Sequence, residues 1–230
     1  MKIISVNNSK KYDIIIGRGV LCGCGERIKR VCGGEKAVIV SDDNVFPLHG
    51  AYLAEELKGC GYEVFKFIIK NGERSKNPEN LILLLRFLAQ NGFSGSDVIC
   101  TLGGGVVGDF GALAAGLYCR GMSIAAVPTS LLSMVDSSVG GKTAVDLPEG
   151  KNLMGMFFQP DVVLCDCGLL DTLPEAYFSD GMAEVIKYGM IASAELFGKL
   201  KLYDVNKLSS KTANEALEEI IAECVAIKRD

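Results

Sequence analysis

Apolar and polar positions follow two periods along the chain. Short β-branched runs at 13–16 and 37–40 end in glycine or in Ser41-Asp42-Asp43, which predicts buried strands. Residues 61–70, 98–102, 123–127 and 161–166 read as further strands. Between them the period lengthens to that of a helix. Residues 50–59 place Tyr52, Leu53 and Leu57 on one face, and 77–90 open on Asn77-Pro78 with Leu81, Leu84, Leu85 and Leu88 inward. Residues 108–119 read as a buried helix.

Strands that alternate with helices imply an α/β fold with a mostly parallel sheet and helices on its faces. Ligands of such sheets bind beyond the carboxyl ends of the strands, where acids and glycines of this chain collect. After Asp171 the pattern changes. Leu173-Pro174 leads into helical sequence to about 194, and 214–228 carries Leu217, Ile220, Ile221, Cys224 and Ile227 at helical spacing. Residues 1–172 are therefore expected to form the α/β domain, and 173–230 the start of an α-helical one.

Composition narrows the function. The 230 residues include 24 Lys and Arg against 28 Asp and Glu, a net charge of −4. The apolar share of 49% suits a packed globular chain. An acidic balance argues against nucleic-acid binding by general charge attraction. The most membrane-like stretch, 98–118, is broken by six glycines and by Asp109, whereas a span needs roughly 20 mostly apolar residues. No membrane partner is expected. Nine cysteines without a CxxC argue for reduced thiols and a cytoplasmic compartment. The Cys22/Cys24 and Cys165/Cys167 pairs read as small apolar residues more readily than as metal ligands. His49 is the sole histidine, so this chain cannot complete chemistry that needs two or three.

Gly103-Gly104-Gly105-Val106-Val107-Gly108-Asp109 follows a strand and opens a helix, meeting GxGxxG at 103, 105 and 108. Such a loop lets a pyrophosphate approach the free N–H groups of a helix start. The acid that normally follows about 20 residues later is absent, because the next strand ends in Pro128-Thr129-Ser130. The candidate ribose acid is Asp42, on an earlier strand. This is a dinucleotide site of unusual topology or a glycine-rich packing turn.

The block from Asp136 to Thr143 and Gly150-Lys151-Asn152 gathers lysines among short turns. Gly141-Lys142-Thr143 imitates a P-loop end, but the upstream glycine is replaced by Asp136, which rejects Walker A. The block is an anion site or an exposed loop. Glu184 and Lys187, i,i+3 on a helix, are a surface ion pair or a metal ligand beside a substrate anchor.

These segments, with Arg120-Gly121, Gln159-Pro160, Leu173-Pro174 and 181–187, stand in the order and spacing of the 3-dehydroquinate synthase family, which the whole chain resembles. Related sugar-phosphate cyclases such as 2-deoxy-scyllo-inosose synthase keep the glycine loop but diverge over 136–143. The resemblance implies a lyase of the shikimate pathway, in aromatic amino acid and chorismate biosynthesis. It would convert the sugar phosphate 3-deoxy-D-arabino-heptulosonate 7-phosphate to 3-dehydroquinate and phosphate. The route implied is transient oxidation by NAD, phosphate elimination, re-reduction and aldol closure. A divalent metal, zinc or cobalt, and a homodimer are implied as well.

Position by position, the resemblance makes 1–172 the NAD-binding domain. Asp42, Asn44, Glu73 and Lys76 would be cofactor contacts. So would Gly105, Val106, Val107, Gly108 and Asp109, then Thr129 and Ser130, where the family usually has Thr-Thr. Lys142 and Lys151 would stand near the cofactor, and Leu169, Leu170, Asp171 and Thr172 would close its site. Asp136, Lys142, Asn152 and Lys187 would contact substrate, and Glu184 would be the carboxylate metal ligand. Family members continue beyond the equivalent of position 230, where their two histidine ligands lie, and His49 matches neither. The expectation is a C-terminally truncated chain that keeps the NAD site and lacks turnover. The alternatives are an alcohol dehydrogenase of the glycerol-dehydrogenase kind and a non-catalytic dinucleotide-binding module.

Overall fold

The computed structural model describes residues 1–203 and 211–230, with side chains in the last helix from 215 onward. Seven strands form the central sheet: β1 (Lys2–Asn7), β2 (Lys11–Gly17), β3 (Lys36–Asp42), β4 (Glu63–Ile69), β5 (Val98–Gly103), β6 (Ser123–Pro128) and β9 (Val162–Asp166). Their order is β1-β2-β9-β6-β5-β3-β4, parallel throughout except for the β1–β2 hairpin. The expected α/β fold with a mostly parallel sheet is the one observed.

A sheet covered on both faces needs continuous apolar strands. Ala37, Val38, Ile39 and Val40 are all fully buried. Ala37 and Ile39 face α1 (Cys24–Cys32) and α2 (Ala51–Gly59), while Val38 and Val40 face α3 (Pro78–Gln90) and α4 (Gly105–Leu117). Asn77 caps α3 by accepting the amide of Asn80 at 2.8 Å, with Pro78 in the first turn. Gly111 lets α4 settle on β5, since a Cβ there would lie 2.4 Å from Thr101 Cγ2.

Several elements differ from the sequence expectation. The block after Asp136 is not one loop. Residues Lys142–Leu147 (β7) and Gly150–Phe157 (β8) form an antiparallel hairpin beside the main sheet. Tyr52 points outward, half exposed, while Leu53 and Leu57 are buried. Helix α1 escapes the pattern because it buries only Cys24, Gly25 and Ile28, and β1 because it is a sheet edge with little buried surface. Helix α4 starts three residues earlier than expected, at Gly105.

After Leu173 come α5 (Glu175–Ala192), α6 (Ala194–Leu202) and α7 (Lys211–Arg229). The break between the first two is Ser193, whose hydroxyl caps α6 through the amide of Leu196 at 3.1 Å. These helices share one apolar cluster with β2 and β9, in which Ile14, Ile16 and Val163 meet Phe178, Val185 and Ile221. Glu218 of α7 also accepts the amide of Arg18 at 2.9 Å. No described helix is long and apolar enough to cross a membrane. Cys100 and Cys165 are wholly buried, and burial pushes their thiols well above the ordinary value, which suits inert reduced side chains.

Candidate functional site

The carboxyl edge of the sheet opens into a cleft of about 790 Å³. At its centre β5 runs into α4. Gly103 is needed for packing, since a Cβ there would sit 2.6 Å from the Val107 side chain. Gly104 is different: a Cβ would meet only Ser130 Oγ, at 3.5 Å. No side chain caps α4, and its first helical bond runs from the Gly108 amide to the Gly104 carbonyl at 3.0 Å. The amides of Gly105, Val106 and Val107 therefore stand at the positive end of the helix dipole. Gly105 and Val106 line the cleft, while the Val107 side chain is buried in the core. A glycine-walled helix start of this kind fits a pyrophosphate.

Asp42, at the end of β3, is nearly buried on the same cleft. One of its oxygens accepts the amides of Asn44 and Val45, each at 2.9 Å, which fixes the turn and leaves the second oxygen for a ligand. Asn44, Glu73, Thr129, Ser130 and Thr172 line the cleft too. Its donor and acceptor set suits a dinucleotide. Sequence reasoning missed the apolar wall of Pro47, Leu48, Leu173 and Tyr177, and it missed Asp43, which accepts the Asn71 amide at 2.8 Å. It gave His49 no part in the cofactor site. His49 belongs to a short helical turn, Phe46–Gly50, and its Nε2 lies 2.9 Å from Thr172 Oγ1 inside the cleft.

A second cluster centres on Lys76, whose side chain is 4% exposed. Its ammonium lies 3.1 Å from Asp109 Oδ2, 3.2 Å from Glu73 Oε1, 3.9 Å from Asp146 Oδ1 and 2.7 Å from Asn152 Oδ1. Burial pulls the Lys76 ammonium down, but Asp109 and Glu73 outweigh it and the net direction is up. Burial pushes the Asp109 carboxyl above its ordinary value, only partly offset by Lys76. Asp109 thus serves the lysine. Asn152 adopts a left-handed backbone, φ 58°, held by its amide on Asp146 Oδ1 at 2.8 Å. Lys151 is largely exposed and reaches Glu73 at 3.8 Å. Asp146 gave one sequence signal, an acid at the end of an apolar run.

A third group surrounds Asp136. Tyr188 donates its hydroxyl to Asp136 Oδ1 at 2.9 Å, and Lys228 bonds both the carboxylate and the carbonyl oxygen. Burial pushes the Asp136 carboxyl up, while Lys228, Tyr188 and the charge of Lys187 outweigh it and hold the carboxyl below its ordinary range. Lys228 was legible as a lysine on the apolar stripe of Leu217, Ile221 and Cys224. Lys142, exposed at the start of β7, borders a small cavity of about 40 Å³ with Gly104, Gly108 and Ser138.

Other expected residues are engaged elsewhere. Leu169 and Leu170 are buried. The Asp171 carboxylate is held by the Arg18 guanidinium at 2.6 and 2.8 Å. Glu184 and Lys187 contact each other. Among the described residues no group of three His, Cys, Asp or Glu side chains could hold a metal ion. A catalytic zinc takes about three protein ligands, so Glu184 and its described neighbours do not fit one.

Comparison with known proteins matches residues 66–180 to the family described as 3-dehydroquinate synthase N-terminal, and 181–230 to 3-dehydroquinate synthase C-terminal. The 3-dehydroquinate synthase of Clostridium acetobutylicum is 47% identical over 219 residues, 95% of this chain and 60% of that protein. That of Clostridium perfringens strain 13 is 46% identical over 231 residues, 100% of this chain and 65% of that protein. This chain thus spans less than two thirds of the relatives it matches. Among solved structures, 2-deoxy-scyllo-inosose synthase with carbaglucose-6-phosphate, NAD+ and Co2+ superposes with a TM-score of 0.85 at 26% identity, covering 99% of this chain and 61% of the other. The 2-epi-5-epi-valiolone synthase of Streptomyces hygroscopicus subsp. jinggangensis 5008, with NAD+ and Zn2+, gives 0.85 at 27%, covering 97% and 62%. An iron-containing alcohol dehydrogenase of Thermococcus thioreducens shares the fold at 20% identity, a TM-score of 0.73, and 95% and 65% coverage.

Proposed function

Because the chain belongs to the 3-dehydroquinate synthase family, we propose that it holds NAD in the carboxyl-edge cleft and the sugar phosphate beside it. The observation that carries this is the uncapped start of α4, with Gly104 open and the second oxygen of Asp42 available across the cleft. The reaction proposed for the whole enzyme is conversion of 3-deoxy-D-arabino-heptulosonate 7-phosphate to 3-dehydroquinate and phosphate. Bound NAD would supply reversible oxidation of a substrate hydroxyl.

The chain's own residues do the rest. The amides of Gly105, Val106 and Val107 receive the pyrophosphate, and Asp42 orients a ribose through its hydroxyls. Thr129, Ser130, Asn44, Glu73 and Thr172 shape the cleft around them. Lys76 keeps the partly buried carboxylates of Asp109 and Asp146 paired and aims Asn152 by its side-chain oxygen. We assign Asn152, Lys142, Lys187 and Asp136 to the substrate, with the lysines neutralising phosphate and carboxylate. Lys151 would join from the solvent side. Residue 172 is our division between the part that holds the dinucleotide and the helical part that carries Glu184 and Lys187. Glu184 remains a proposed metal contact that described residues do not complete, and no step is routed through a metal. A homodimer and a cytoplasmic location complete the proposal.

Titration calorimetry with NAD on the folded 230-residue chain tests this reading. One site per chain is expected, and an absence of heat with a native circular dichroism spectrum would sink it. A second reading, a dinucleotide-binding module without turnover, draws on the lack of a three-ligand group among described residues. Phosphate release from the sugar phosphate by this chain would exclude it.

A further inference from the structure

Three residues close a ring of hydrogen bonds. The Asp146 amide donates to the Lys76 carbonyl at 2.8 Å. The Asn152 amide donates to Asp146 Oδ1 at 2.8 Å, and the Lys76 ammonium donates to Asn152 Oδ1 at 2.7 Å. The ring joins the segment after β4 to the β7–β8 hairpin, which shares no strand pairing with the main sheet.

The hairpin is irregular at this point. Between the pairs Val145–Met154 and Leu147–Gly150, Asp146 alone stands opposite Lys151, Asn152 and Leu153. A bulge of this kind re-aims the side chains within it. Asn152 sits there with φ 58°, a left-handed backbone that a residue other than glycine keeps only when its surroundings hold it. Asp146 Oδ1 supplies that hold by accepting the Asn152 amide.

An ammonium has no lone pair, so the Asn152 atom that meets Lys76 is the amide oxygen. Nδ2, on the other branch of the amide, keeps two N–H donors that have no partner among the described residues. Asn152 is exposed, so a ligand can reach them. The side chain is thus fixed as a donor, the form that suits a phosphate or carboxylate oxygen.

We propose that Asp146 is a positioning residue for the substrate: its Oδ1 holds Asn152 in the bulge, so that Lys76 takes the amide oxygen and the Nδ2 donors are left for an anionic oxygen. This rests on the assignment of Asn152 to the sugar phosphate. The acceptor atom of Asp146 carries the role, and its charge does not. Lys76 lies 3.9 Å from Asp146, but 3.1 Å from Asp109 and 3.2 Å from Glu73.

Calorimetric titration of 3-deoxy-D-arabino-heptulosonate 7-phosphate into the NAD-saturated 230-residue chain tests this. Asp146→Ala is expected to weaken binding roughly 3–10-fold, the worth of one hydrogen bond, with NAD affinity unchanged. Asp146→Asn loses the same charge but keeps an oxygen for the Asn152 amide, so it should bind within about twofold of the native chain. Asn152→Ala should also weaken binding, and adding Asp146→Ala to it should cost nothing further, because Asp146 acts through Asn152. If Asp146→Ala does not fold, nuclear magnetic resonance of the native chain serves. The Asn152 Nδ2 proton signals, identified by their loss in Asn152→Ala, should then shift on addition of the sugar phosphate. Full affinity in Asp146→Ala, an equal loss in Asp146→Asn, or additive losses in the double variant overturn the inference and leave the substrate assignment standing. If NAD binds but the sugar phosphate does not, or the Nδ2 signals stay in place, the assignment of Asn152 and this inference fall together, and the NAD reading remains.

Discussion

Lys228 and Asp136 stand 92 positions apart and meet through two contacts, with the ammonium bonding both the carboxylate and, at 2.8 Å, the backbone carbonyl of Asp136. This pair ties the last turn of α7 to the segment that precedes β7.

Lys228→Met should therefore loosen that tie. Asp136 has a depressed folded-state value, so its contribution is present above the unfolded carboxyl value of about 3.9 and is lost as pH falls through the folded one. Both side chains are partly exposed, so the cost at pH 7 should be about 1 kcal/mol. Urea unfolding of native and variant chains should differ at pH 7, and the difference should begin to shrink only below about pH 4 and vanish below the folded-state value of Asp136. A difference that persists in acid would point to lost packing instead.

Lys76→Met should show the opposite pH trend. The variant leaves Glu73, Asp109 and Asp146 without their buried cation, at a cost of about 3 kcal/mol near neutrality. Burial already raises the Asp109 carboxyl, and removing the cation raises it further. A carboxyl raised on folding stabilises below its unfolded value and loses that contribution as pH rises through the folded one. The variant should therefore recover stability relative to the native chain between pH 7 and pH 5. A gap that stays constant over that range would exclude the carboxylates as its source.

Two neighbouring glycines should separate folding from binding. Gly104→Ala places a methyl in ordinary contact with Ser130, so its melting temperature should stay near that of the native chain while NAD affinity falls at least about 10-fold, by obstruction of the pyrophosphate. Gly103→Ala drives a methyl into Val107 and should unfold at lower urea, by about 1–3 kcal/mol. Unchanged NAD affinity in the first variant would argue against a pyrophosphate at the α4 start.

Asp42→Asn keeps an oxygen for the amides of Asn44 and Val45, so the turn should survive. The charge offered to a ribose is lost, and NAD should bind about 10-fold more weakly, as expected for a hydrogen bond to a charged group. Calorimetry on the variant decides this, with equal affinity counting against Asp42 as the ribose ligand.

Much of the fold was legible because both-sided burial writes itself as apolar runs, unbroken at 37–40 and interrupted only by the buried Thr101 at 98–102. What escaped had weak patterns: α1, with Cys24 and Ile28 as its buried side chains of any size, and the β7–β8 hairpin, whose second strand is exposed almost throughout. In the site, Gly105, Asp42 and Thr129 were readable from their places at strand ends. The Lys76 cluster was readable only in part, since Asp109, Asp146 and Asn152 come together through tertiary packing over long separations. The place of His49 was hidden for a related reason: its side-chain contact is with Thr172, 123 positions away.

The cleft draws its lining from segments that follow β3, β4, β5, β6 and β9. Such a surface exists only when the whole sheet is assembled, so a bound dinucleotide acts on the folding equilibrium as well as on the site. At a hundredfold excess over its dissociation constant the ligand would add about 2.7 kcal/mol to folding. Survival against proteolysis inside a cell would then track the size of the cofactor pool.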